Sequence, residues 1–248
     1  MINLTKQSRT SKQNKLIDFY KSKFLNDSIP KTYSSPHLIS LNKKNINTDI
    51  MIIGQETNSW YGNYDDFNNR GIQEQMKIYD NFMENIYTEK NNIFFRYVKD
   101  VINDENCVPV WTNLFKFDLE DARNKDKNIS KSSKEEYENI INFHNEILAK
   151  EIEIVQPKII IFFTGQTYDK LFFDPLVIKD KNYRDLYNKI SVFDNIDEWK
   201  CAVMDLKKYS GFTNFKGKAI RTYHPSYLNK NFGTSIINYI KKEISYIK

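Results

Sequence analysis

Four short apolar runs, rich in β-branched and aromatic residues and separated by helical stretches, constrain this chain more than any other feature. They are Asp49 to Gly54, Val108 to Phe115, Lys158 to Gly165 and Lys218 to Tyr223. Each is the length of one buried strand and is bounded by turn residues. Lys134 to Val155 carries apolar residues at helical spacing, opened by Ser133 with Glu136 three residues on, a capping-box pattern, and it stops before Pro157. Helices are also expected over Lys12 to Leu25, Gln73 to Val101, the segment after Gly165, and Ser235 to Ile247. Strands alternating with helices imply right-handed crossovers and a parallel sheet covered on both faces. The polar or mixed connections Leu119 to Ser132 and Asp180 to Asp197 read as variable loops.

With 248 residues, no internal repeat and no Gly/Ser- or Pro-rich linker, the chain reads as a single domain over 1–248 with an N-terminal helical extension around 1–44. Cys107 and Cys201 stand apart, without the spacing of a zinc or iron–sulfur site, so no metal and no cofactor is expected. Two unpaired thiols suit a reducing cytoplasm. Met1 to Arg9 is polar and basic, and Ile159 to Thr164 is too short to span a bilayer, so no membrane association is expected. A monomer is the favoured state. Charge is unevenly spread: residues 201–248 hold nine Lys/Arg against Asp205 and Glu243, and residues 1–44 hold nine against Asp18 and Asp27. Such basic ends fit a polyanion-binding face and equally fit solvated lysines.

The chemistry gathers at strand ends. In open α/β sheets ligands bind in the crevice beyond the carboxyl ends of the strands. Gly54-Gln55-Glu56-Thr57-Asn58 ends one run, Thr112-Asn113 another, and His224-Pro225-Ser226-Tyr227-Leu228 a third. A carboxylate, a carboxamide and an imidazole are thereby placed to meet across one pocket.

Taken in this order, and with Pro157 to Gly165 between them, these motifs resemble the uracil-DNA glycosylase superfamily over residues 49–228. The resemblance implies a three-layer α/β/α sandwich around a four-stranded parallel sheet. It also implies a monofunctional hydrolase that flips a base out of DNA, cuts its bond to deoxyribose and releases the free nucleobase. On that resemblance Glu56 positions water and stabilises the cationic sugar, while His224 donates to the departing base. Asn113 reads the base, with Gln55 beside it. Leu228 is the wedge that fills the vacated stack, and Ser226 and Lys230 touch phosphates. A base-stacking phenylalanine is expected among Phe67, Phe82, Phe94 and Phe95. The chain departs from the best-known branch, which has Asp, Pro and Tyr where this sequence has Glu56, Thr57 and Asn58; Trp60 or Tyr61 can take the place of that tyrosine or belong to the core. Two functions of different kinds follow: a DNA base glycosylase, or a protein that binds a base, nucleotide or DNA in the same pocket without cleaving it.

Overall fold

The computed structural model describes residues 2–24, 33–57, 60–86, 92–104, 106–118, 134–169, 187–188, 196–208, 212, 214–228 and 233–247. The expected loop 119–132, the capping box at Ser133 and Glu136, most of 180–197, and the side chain of Lys230 lie outside the described detail.

All four apolar runs form strands: β1 (Ile46–Gly54), β2 (Val108–Asn113), β3 (Ile159–Phe162) and, later in the chain, β6 (Lys218–Thr222). Between the last two lie β4 (Tyr187–Asn188) and β5 (Cys201–Met204). The sheet order is β2-β1-β3-β6-β5-β4. In that order the first four strands are parallel to one another, whereas β5 runs antiparallel to β6 and β4 antiparallel to β5. The four parallel strands therefore form one side of a larger, mixed sheet, with β2 at its edge. Cys201–Met204 has only four residues and Tyr187–Asn188 two, too few to show a strand period in the sequence.

The helices are α1 (Ile2–Phe24), α2 (Tyr64–Ile86), α3 (Ile93–Ile102), α4 (Lys134–Val155), the single turn α5 (Pro225–Leu228) and α6 (Gly233–Ser245). The one helix expected over Gln73 to Val101 is in fact two. Asn92 begins the second, its side-chain oxygen accepting from the Phe94 and Phe95 N–H groups, and Asn103 closes it in the left-handed region at φ 50°. The helices fall into two contacting groups, α1 with α2 and α4, and α3 with α5 and α6.

The crossover from β1 leads to β2 on one side, and the chain then returns past β1 to β3 on the other. That reversal makes the carboxyl end of β1 a topological switch point, where a crevice opens. Gly54 is in register with Asn113, so the ends of β1 and β2 lie side by side at its edge.

Beneath this edge is a buried polar cluster. Lys116, just beyond β2, and Glu151 on α4 are both fully buried, with Lys116 Nζ 2.5 Å from Glu151 Oε2. Thr112 Oγ1 donates to the same oxygen at 2.9 Å, and Tyr20 of α1 donates to Oε1 at 2.6 Å. Tyr20 in turn accepts from the Ile39 N–H. Two charges removed from water are stable only when such contacts saturate them. The cluster therefore locks α1, α4 and the segment after β2 together. The extension is built into the body of the protein: Leu16, Tyr20 and Phe24 are core residues, and Lys12 Nζ donates to the Val155 carbonyl at 2.7 Å. Among its described residues the helical part is α1, and residues 35–41 are buried without regular structure.

Replacing Lys116 by Met leaves the Glu151 carboxylate buried and under-compensated, and should cost about 3–5 kcal/mol of stability. Urea unfolding measures this, and Lys116→Met combined with Glu151→Leu should recover part of the loss.

Candidate functional site

A cavity of ≈ 820 Å³ opens at the carboxyl ends of β1 and β2, and Gly54, Glu56, Phe94, Asn113, Tyr168 and His224 are among its lining residues. The carboxylate, carboxamide and imidazole singled out in the sequence share one pocket. Strands lie about 4.8 Å apart, so the ends of β1 and β6, with β3 between them, stand about 10 Å from one another. Glu56 and His224 follow these two ends and line the same cavity.

Gly54 shapes the floor. A Cβ there would overlap Asn113 Oδ1 and lie 3.5 Å from Phe94 Cε2, so the missing side chain keeps a slot open between the carboxamide and that ring. Asn113 is only 1% exposed, and its Nδ2 has no hydrogen-bond partner among the described residues. A buried donor left unpaired costs about 1–3 kcal/mol, so this N–H group is suited to a ligand or water.

Of the four phenylalanines considered for stacking, Phe94 has the right place. It is half-buried, and its ring stacks on His224 with centroids 5.8 Å apart at 30°. Phe82 and Phe95 line the cavity but pack edge-on or tilted into Trp111, and Phe67 packs against Phe24 and Tyr64. Trp60 is buried in the same aromatic cluster, whereas Tyr61 stands at the rim, 48% exposed. Asn58 lies outside the described residues.

Glu56 is half-buried, and its Oε1 accepts from Tyr168 Oη at 2.9 Å. Tyr168 sits in a 3₁₀ turn, Gln166–Tyr168, that follows β3 through Gly165, whose φ of 74° glycine adopts freely. The next residue, Asp169, meets Arg221 of β6 at 3.2 Å, both nearly inaccessible to solvent. Arg221 also donates to the Glu198 carbonyl at 2.8 Å and to that of Trp199. A buried ion pair thus fixes the turn that presents the Tyr168 hydroxyl. The sequence alone does not single out Tyr168, because nothing local marks a tyrosine that acts 112 residues away.

His224 lies in the turn entering α5. Ser226 Oγ is 2.8 Å from Nδ1, and the Ser226 backbone N–H points at the same nitrogen at 3.3 Å. A backbone amide only donates, so Nδ1 accepts and the neutral ring carries its proton on Nε2. Burial pushes the His224 pKa below its usual 6.5, favouring that neutral form. The other two histidines are fully enclosed. His37 is wedged against Trp60, Tyr79 and Trp111, and His144 bonds the Ile140 carbonyl with its pKa pushed down to about 3 by burial.

The remaining positions divide. Gln55 lines the cavity, but its side chain donates to the Thr164 carbonyl at 2.7 Å, tying β1 to β3. Ser226 is exposed and holds His224. Leu228 does not stand ready as a wedge: it is 2% exposed, because α5 turns it into the core against the start of α6, where a Cβ on Gly233 would lie 3.4 Å from Leu228 Cβ. Its neighbour Tyr227 is outside, 67% exposed. The basic ends are partly spent within the chain, since Lys23 pairs with Glu146 at 2.7 Å, Lys241 with Asp100 at 2.5 Å, and Lys43 with Glu84. Among the described residues no cluster of three His, Cys, Asp or Glu could hold a metal ion, and no helix is long and apolar enough to cross a membrane.

The site is thus a slot at the edge of an α/β sheet, between a carboxamide and an aromatic face and bordered by an acid and a neutral histidine. The model of the uracil DNA glycosylase superfamily matches residues 42–245, and the chain belongs to that superfamily. No curated protein matches it.

Two outcomes check this geometry. Gly54→Ala should close the slot and abolish uptake of a free pyrimidine while leaving the circular dichroism spectrum unchanged; equilibrium dialysis with uracil reads the loss. In a ¹⁵N-edited NMR titration, the His224 ring should be the Nε2–H tautomer at pH 7 and titrate below 6.5.

Proposed function

We propose that this protein hydrolyses the N-glycosidic bond of uracil, or of another damaged pyrimidine, in DNA and leaves an abasic site. The observation that carries the reading is the convergence of Glu56, Asn113 and His224 on one cavity, with the buried Asn113 Nδ2 unpaired at its floor.

A base inside a duplex or strand is out of reach of such a pocket, so the nucleotide swings out of the stack and into the slot. There the ring lies against Phe94 over Gly54, and Asn113 presents a donor and an acceptor to the pyrimidine edge. Breaking the C1′–N bond builds positive charge on the sugar and negative charge on the leaving base. A group stabilises the reaction only insofar as it meets that charge better than it meets the ground state. Glu56, held by Tyr168, is the anion beside the sugar and aligns a water for attack on C1′. The Nε2–H of neutral His224 faces the departing base and takes up its developing charge. The hydroxide portion of the water ends on C1′, and its proton balances the base that leaves. No covalent intermediate with the protein is required.

Glutamate reaches one methylene further than the aspartate of the best-known branch and has one more bond to rotate. The Tyr168 hydroxyl restrains that freedom. A misplacement of about 1 Å can cost on the order of 100-fold in rate.

Single-turnover cleavage of uracil-containing single and double strands tests the proposal. Glu56→Ala and His224→Ala should each abolish most cleavage while retaining DNA binding. Tyr168→Phe should lower kcat by roughly 10- to 100-fold with KM nearly unchanged, the signature of a positioning residue. Absence of cleavage by the unaltered chain across a panel of lesions, with DNA still bound, would establish the binding role in place of hydrolysis.

A further inference from the structure

The cavity explains how one base is held, but not what holds the rest of the strand. Among the described residues three large hydrophobic side chains are exposed: Tyr61, Tyr227 and Tyr246. Tyr246 lies beyond the end of α6, whereas Tyr61, in the segment after β1, and Tyr227, in α5 after β6, sit close to the cavity. Tyr61 lines it, and Tyr227 is three residues past His224.

Both tyrosines have anchored backbones. Tyr61 adopts φ 47°, a left-handed conformation uncommon for a bulky residue, and Gly62 follows at φ 92°. The conformation is fastened from outside: Arg70 donates to the Tyr61 carbonyl at 2.8 Å, and the Ser35 N–H donates to that of Gly62 at 2.7 Å. Against Trp60 the Tyr61 ring is edge-on, with centroids 5.0 Å apart. Tyr227 is fixed by its N–H, which donates to the His224 carbonyl at 2.8 Å. Its ring leans on Tyr223, centroids 6.3 Å apart at 36°, and Tyr223 in turn abuts the turn at Gly165. Strained backbone at a cavity mouth, maintained by surrounding bonds, is a device for presenting a side chain.

We propose that Tyr61 and Tyr227 form a two-sided aromatic rim that stacks on the unpaired bases flanking the nucleotide in the cavity, and that the strand this site engages is therefore single-stranded DNA. The inference rests on the reading of the cavity as a DNA base site. Aromatic platforms accept any base, because every base has a π-face, but they need that face uncovered. In a duplex both faces are stacked. A duplex-acting site needs an apolar wedge for the gap that flipping leaves. Leu228, the side chain in the wedge position, is buried, whereas Tyr61 on the cavity lining and Tyr227, three residues past His224, are exposed.

The test is fluorescence anisotropy with the full chain, an unmodified single-stranded oligonucleotide and its duplex, at fixed ionic strength. The single strand should bind at least tenfold more tightly. Tyr61→Ala and Tyr227→Ala should each weaken single-strand binding about tenfold, Tyr227→Phe should stay within about twofold, and the dependence of affinity on salt should not change, since no phosphate contact is removed. Tyr227 is mostly exposed, so its variants keep the fold. Equal affinity for both forms, or Tyr227→Ala binding like the parent, overturns the proposal. Because unmodified DNA is used, this result is independent of catalysis: cleavage with an inert rim defeats the rim alone, and a stacking rim without cleavage defeats the hydrolytic reading alone.

Discussion

The pairing of Gly54 with Asn113 across β1 and β2 is the constraint on which the site depends. Parallel register brings the two residues side by side, and only the absence of a Cβ on Gly54 lets the carboxamide lie over the strand end with Phe94 on the other side. A side chain at either position that filled the gap would convert a binding slot into ordinary core. The slot also depends on what lies beneath it. Thr112, adjacent to Asn113, is tied to the buried Glu151 and thereby to Lys116 and Tyr20. The end of β2 is therefore held by two helices distant in sequence, α4 and α1, the second of which precedes the family-matched region.

The acid is supported in a different way. Glu56 follows β1 without regular structure of its own, and its orientation comes from a tyrosine beyond β3. The turn carrying that tyrosine is fixed to β6 by the Asp169–Arg221 pair. β6 also leads into His224, so one buried arginine stands behind both sides of the cavity. Charged groups this deeply enclosed add little net stability when replaced as a pair, but they impose one arrangement on the groups around them. Here that arrangement is the separation of acid from histidine.

Charge segregation along the chain has a partly internal outlet. The basic ends and the acidic middle meet in pairs such as Lys23–Glu146 and Lys241–Asp100. Exposed pairs of this kind contribute about 0–1 kcal/mol each and leave fewer lysines for a polyanion.

What the sequence determined by itself is the periodic part of the protein. Four short β-branched runs bounded by turn residues read as buried strands, their alternation with helical stretches pointed to parallel pairing, and chemistry-bearing residues at their ends were placed where such sheets open. Glu56, Asn113 and His224 were legible for that reason, and so was the family. What only the tertiary structure decided are contacts between segments with no shared period. The separation of α2 from α3 rests on a single capping asparagine, and β5 is too short to announce itself. Phe94 could not be told from Phe82 or Phe95 until the helix carrying it was oriented. The burial of Leu228 and exposure of Tyr227 depend on which way one turn of helix faces, a rotation of about 100° per residue that leaves no trace in residue type. Tyr168 reaches Glu56 only after β1 and β3 are zipped together, and side-chain geometry of that kind is a property of the packed molecule.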